Sequence, residues 1–149
     1  MFLFRIFRWK NFVLTVLALA VCLCFACGIY LKSVVRLEDL EGERVFYLDS
    51  ASSQGLLKDK ISLPDFPRLR GESVRLTKQG DEEEMVRFVV EKYNAEVLFL
   101  EKVEGVTSYY CYTDEWADYV LIEGKRVNLH VTVSPSQCVV GAPIIFGGF

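Results

Sequence analysis

The sequence has a single histidine, no acidic residue before Glu38, and only one long uncharged run. Each scarcity excludes something. Any histidine-dependent chemistry must run through His130, and no stretch other than Phe12 to Leu31 is long and apolar enough to suggest a multi-span transporter. With Arg5, Arg8 and Lys10 set aside, 14 of the 17 cations face all 20 acids, so residues 32–149 carry −6. That balance argues against non-specific nucleic-acid binding, which needs cationic surface to displace counterions. What is present is 149 residues with 52% hydrophobic letters and 25% charged ones, the composition of a folded domain of ordinary size.

The run Phe12 to Leu31 is twenty residues long, the length a helix needs to cross a bilayer. The first ten residues, MFLFRIFRWK, hold three cations, whereas Lys32 and Arg36 beyond the run are soon offset by Glu38, Asp39, Glu41 and Glu43. Counting Lys and Arg near the helix ends places the N-terminus in the cytoplasm and the rest outside. Trp9 and Tyr30 flank the run, where amphipathic rings favour the membrane boundary. Two rival readings are a cleaved signal peptide at Ala18-Leu19-Ala20 and a lipoprotein box at Cys24-Phe25-Ala26-Cys27. The apolar run continues past the first, and Phe25 stands where the second wants a small residue. All three readings export the remainder of the chain.

Of five cysteines, Cys22, Cys24 and Cys27 lie in the apolar run. Cys24 and Cys27 have C-x-x-C spacing, but hydrocarbon stabilises no thiolate and supplies no second ligand pair, so small apolar filler is the better reading. Cys111 and Cys138 fall in predicted strands of an exported domain, where a disulfide is permitted but two separate buried thiols are favoured.

Four segments result: a basic N-terminus (1–11), a transmembrane helix (12–31), a juxtamembrane connector (32–70) and an extracytoplasmic α+β domain (71–149). In the connector, Val45–Leu48 could form a short strand, Asp49–Gly55 reads as loop, and Pro64 and Pro67 discourage a helix. From Gly71 the pattern is regular. Ser73–Thr77 alternates as a half-buried strand. Asp81 is a natural helix N-cap, and Glu82, Glu83 and Glu84 complement the helix dipole. Met85, Val86, Val89, Val90 and Tyr93 follow at helical spacing, Phe88 widens the stripe, and Asn94 suits a left-handed stop. Strands are expected at Glu96–Val103, Val106–Thr113, Tyr119–Ile122, Lys125–Ser134 and within Gln137–Phe146. Glu104-Gly105 and Glu123-Gly124 form the tight links. The order β-α-β-β-β-β-β with short links predicts one helix packed on a largely antiparallel sheet.

Val127-Asn-Leu-His-Val-Thr-Val133, followed by Val140-Gly-Ala-Pro-Ile-Ile145, resembles the tail of the YwmB family, and Tyr109-Tyr-Cys-Tyr-Thr113 resembles the aromatic strand before it. The resemblance covers the last 80 residues or so. It implies an exported α/β domain from a Gram-positive cell, since these are proteins of spore-forming Firmicutes whose fold has been compared with TATA-box-binding proteins. It brings no activity with it. Fold alone does not carry DNA binding, which the acidic balance opposes.

The candidate binding surface is aromatic. Tyr109, Tyr110, Tyr112, Trp116 and Tyr119 place five rings in eleven positions. Alternation sends Tyr110 and Tyr112 to one face and Tyr109 to the other, so one set packs in the core while the other could meet glycan or a protein. His130 shares the non-core face of its strand with Asn128 and Thr132, and is read as a surface or helix-covered imidazole rather than a general base. Asp114, Glu115 and Asp118 lack the spacing of a calcium loop, and Ser108, Ser134 and Ser136 sit in no nucleophile elbow. The expectation is therefore a non-enzymatic protein-interaction module of the cell envelope, with no cofactor, no metal and no nucleic acid. Its partners would be the membrane and an envelope protein. A wall-polymer binder or weak hydrolase using the aromatic strand is the alternative.

Overall fold

The computed structural model describes residues 2–50, 55–77 and 80–146. It divides into two compact units, residues Met1–Val34 and Val35–Phe149.

The first unit is one helix, α1 (Phe2–Val34). Within it Asn11–Tyr30 has a mean hydropathy of 2.8 with no side chain buried, so this helix is long and apolar enough to cross a membrane. Twenty residues at about 1.5 Å each match the roughly 30 Å hydrocarbon layer. The Thr15 hydroxyl donates to the Asn11 carbonyl at 2.9 Å, which satisfies that polar group within the helix itself.

The second unit is α+β, as its pattern predicts. Strands β1 (Gly42–Leu48), β2 (Leu56–Lys58), β3 (Leu69–Leu76), β4 (Glu96–Val103), β5 (Val106–Tyr112), β8 (Leu129–Ser134) and β9 (Gln137–Ala142) form one sheet. Its order is β2-β1-β3-β9-β8-β5-β4, antiparallel at every step. A separate ribbon pairs β6 (Val120–Ile122) with β7 (Lys125–Val127). Helix α2 (Glu82–Lys92) links β3 to β4 across one sheet face.

Local rules place these elements. Asp81 caps α2, its Oδ1 accepting the Glu84 N–H at 2.7 Å. Asn94 ends the helix at φ 46°, a left-handed conformation that asparagine tolerates. The two-residue links Glu104-Gly105 (φ 50°, 83°) and Glu123-Gly124 (φ 50°, 76°) have the positive φ pair that suits the twist of a hairpin. Met85, Val86, Val89 and Tyr93 bury the inner stripe of α2 against Val74, Cys111, Leu129, Val131, Val133 and Val140.

Three expectations are corrected. Pro64 and Pro67, expected to discourage a helix, lie in a short 3₁₀ helix, Leu63–Arg68, where Pro64 occupies the first turn and needs no N–H partner. Residues 42–48 and 56–58, placed in a connector in which only Val45–Leu48 read as a short strand, supply two strands to the main sheet. In β1, Phe46 and Leu48 are buried while the register sets Val45 and Tyr47 opposite Ser73 and Gly71. Glu43 and Arg44 break the apolar alternation, which is why this strand reads weakly in sequence. The arm Lys125–Ser134 is two strands and not one, broken at Asn128. The Asn128 side chain turns to the loop after β5, accepting the Thr113 N–H at 2.8 Å and donating to the carbonyls of Thr113 (2.7 Å) and Trp116 (3.2 Å). β7 accordingly pairs with β6, and β8 joins the main sheet.

Glu72 is the polar centre of the unit. Only 1% exposed, it accepts the backbone N–H groups of Arg36 and Leu37 (2.9 Å to Leu37) and the Arg44 guanidinium at 2.9 Å. Arg44 in turn donates to the Leu37 carbonyl at 2.8 Å. The first residues of the unit are thus tied to the middle of the sheet by charge-assisted bonds.

Candidate functional site

The six aromatic or imidazole groups singled out from sequence do not form one patch. Tyr119 stands apart, exposed before β6 with the Arg126 guanidinium 4.9 Å over its ring, and register and packing distribute the other five over three settings.

Tyr109 lies on the helix face of β5, opposite Val131. Its hydroxyl donates to Glu82 Oε1 at 2.6 Å, which joins β5 to the first turn of α2. The Tyr109 bond holds the Glu82 carboxyl below its ordinary range, and burial with the adjacent carboxylate pushes the phenol up to about 12. Tyr109 also lines a groove of about 480 Å³ between α2 and β4, with Val86, Val90 and Val97 as apolar walls and Glu82, Glu83 and Arg87 at its rim.

Trp116 packs in the loop after β5. Its ring lies 5.1 Å from that of Tyr93, and the Arg36 guanidinium sits 5.7 Å above it while also bonding Asp118. This is a structural cation–π arrangement that holds the loop to the first residues of the unit.

Tyr110 and His130 come together on the sheet face opposite α2. Four groups stack in sequence there. Lys125 Nζ lies 5.0 Å over the Phe99 ring, Phe99 stacks on Tyr110 at 4.5 Å, and Tyr110 stacks on His130 at 4.5 Å. The Tyr110 hydroxyl donates to Glu101 at 2.9 Å, and burial followed by that bond raises its pKa. Tyr112 follows on the same face, paired in register with Glu96 and half-buried.

His130 is neither on the surface nor under the helix. It is 6% exposed on the opposite face, a position strand alternation cannot foresee because the cover comes from residues 143–146. The Ile145 N–H donates to His130 Nδ1 at 3.3 Å, and Nε2 lies 3.3 Å from Thr132 Oγ1. An acceptor at Nδ1 puts the ring proton on Nε2, so the imidazole is neutral and donates to Thr132. Burial pushes its pKa down to about 4, against an opposing pull from Glu101. A ring with both nitrogens engaged is arranged as a structural latch.

Sequence reading did not single out the outer strand β4. Val97 and Leu100 there, opposite Cys111 and Tyr109 on the helix face, are 42% and 54% exposed, and Val103, opposite Val106 on the other face, is 65% exposed. The edge is guarded in one place: a bulge between Val97 and Phe99 interrupts the register, and Lys125 Nζ donates to the Leu98 carbonyl at 3.2 Å. A second cavity, of about 530 Å³, opens beside the β8–β9 turn, lined by Arg75, Thr77, Met85, Ser134, Ser136 and Cys138 among others. Arg75 is paired with Glu43 at 3.0 Å, and Ser134 accepts the Gln137 N–H at 3.2 Å.

Among the described residues no group of three or more His, Cys, Asp or Glu is placed to hold a metal ion. Asp114 and Glu115 are exposed, and Asp118 is engaged by Arg36. Cys111 and Cys138 are both free and buried, and burial pushes each thiol up to about 12. No family model, no curated protein and no solved structure matches the chain.

Proposed function

We propose that the chain is a single-pass membrane protein, N-terminus in the cytoplasm, whose Val35–Phe149 unit works outside as a non-enzymatic protein-interaction module of the bacterial cell envelope. The observation that carries the reading is β4. A soluble domain rarely leaves apolar side chains such as Val97 and Leu100 on one face of a sheet edge beside an apolar groove unless something covers them. The three cations before the apolar run support the orientation. Kinship with the YwmB family belongs to the same proposal and rests on the short motifs quoted above.

The test is site-specific photocrosslinking of the full chain in cells. A crosslinking residue at Val97 or Leu100 is expected to give a discrete protein adduct that the same residue at Glu115 does not. Adducts of equal intensity from all three positions, or none from β4, would overturn the reading.

A further inference from the structure

Beyond Ala142 the chain doubles back over the sheet face opposite α2. Two glycines make room for it. A Cβ on Gly141 would stand 2.6 Å from Ile145 Cγ1 and 2.8 Å from the Ile144 carbonyl carbon, and one on Gly71 would stand 2.9 Å from Phe146 Cε2. Phe146 also packs its ring 5.3 Å from that of Tyr47 on β1. The segment is therefore closely fitted, and the Ile145 N–H ties it to the sheet by donating to His130 Nδ1. His130 is directly opposite Gly141 in the register, so the latch and the closest glycine contact coincide.

We propose that residues 143–146 are an acid-released strap: a proton taken from solvent onto His130 Nδ1 converts the acceptor of the Ile145 N–H into a donor, and the segment lifts from the face formed by Gly71, Tyr47 and Gly141. Nε2 keeps its bond to Thr132 in both states, so the change is confined to the strap side of the ring. The charged and titratable neighbours are few. Glu101 on β4 favours the protonated ring, Tyr110 on β5 stacks against it with its hydroxyl committed to Glu101, and Lys125 on β7 stands at the far end of the stack. β9 and β3 present Gly141 and Ser73, and the strap brings no ionisable side chain. The inference stands whichever side of the membrane the unit occupies and whatever it binds.

Burial lowers the closed-state ring to about 4, whereas an imidazole freed by strap opening titrates near 6.5. Between those values the open form binds one proton more than the closed form. Its population then rises about tenfold for each unit of acidification, and is flat above about pH 6.5.

The experiment is hydrogen exchange of the full chain in detergent micelles, with protection factors corrected for intrinsic rates. Protection of the Ile145 amide is expected to fall about tenfold per pH unit from about 6.5 to about 4, while Val131 and Val140 in the central strands hold. His130→Asn, which puts Oδ1 in the place of Nδ1, is expected to keep the protection and lose its pH dependence. Three results would overturn the proposal: an Ile145 protection that ignores pH, a loss shared equally by Val131 and Val140, or an unchanged slope in His130→Asn. Should that variant not fold, the single imidazole is resolved by nuclear magnetic resonance. Titration below pH 5 with the Ile145 amide shift following supports the strap, and titration near 6.5 overturns it.

Discussion

Asn128 and Thr113 exchange two hydrogen bonds, 2.8 Å from the Thr113 N–H to Oδ1 and 2.7 Å from Nδ2 to the Thr113 carbonyl. The side-chain amide thereby stands in for a neighbouring strand at the point where β5 ends. Both residues are buried. Asn128→Ala leaves an N–H and two carbonyls without partners and is expected to cost about 3 kcal/mol in denaturant unfolding. A change below about 0.5 kcal/mol would show that water replaces the amide without loss.

Glu72 offers the sharper contrast. Glu72→Leu strands the Arg44 guanidinium and two backbone N–H groups in a buried setting, for an expected loss of about 3–5 kcal/mol. Glu72→Gln keeps an acceptor for Arg36 and Leu37 and is expected to lose visibly less. Equal losses in the two variants would assign the whole effect to charge.

Asp65 sets the behaviour in strong acid. Lys58 Nζ at 2.7 Å, then the backbone and hydroxyl of Ser62, hold its carboxyl down to about 2 from the usual 3.8. A carboxylate with a depressed folded pKa stabilises above its unfolded value, and that contribution fades as pH falls from about 3.8 to about 2. Wild type is expected to exceed Asp65→Asn in stability at pH 5, with the two converging near pH 2. A difference independent of pH would contradict the ion pair. This window lies below the one assigned to His130.

Cys111 and Cys138 are two strands and several residues apart, since Cys111 faces Leu129 and Cys138 faces Val133 across β8. At about 4.8 Å between strands and 3.4 Å per residue the separation far exceeds the roughly 7 Å a disulfide permits. Peptide mapping is expected to find both as free thiols that alkylate only after unfolding. A Cys111–Cys138 crosslinked peptide would contradict the register.

Much of this was legible in the sequence. The apolar run, the Asp81 cap with its glutamates, the α2 stripe, and the Glu104-Gly105 and Glu123-Gly124 turns follow from local rules that tertiary contacts do not override. Val45–Leu48 was legible as a short strand, but its extension back to Gly42 and its place in the main sheet were not, because Glu43 and Arg44 look like connector and only the sheet reveals Arg44 as the partner of Glu72. The burial of His130 escaped because strand alternation says which face a side chain takes and nothing about what lies over that face. Alternation foresaw that Tyr109 and Tyr110 take opposite faces, whereas the packing of Trp116 on Tyr93 and the stacking of Tyr110 between Phe99 and His130 needed tertiary contacts. The exposed edge at β4 needed the strand order, since apolar letters in a strand ordinarily signal a core.

The account turns on where the Val35–Phe149 unit resides. Leu57 is exposed in β2, Cys111 and Cys138 are buried, and the other three cysteines lie in the apolar span. In Leu57→Cys, a membrane-impermeant maleimide should therefore meet one accessible thiol. Applied to intact cells expressing the full chain, it is expected to label that cysteine as completely as in permeabilised cells. Labelling only after permeabilisation would put the unit in the cytoplasm and contradict the proposed envelope function.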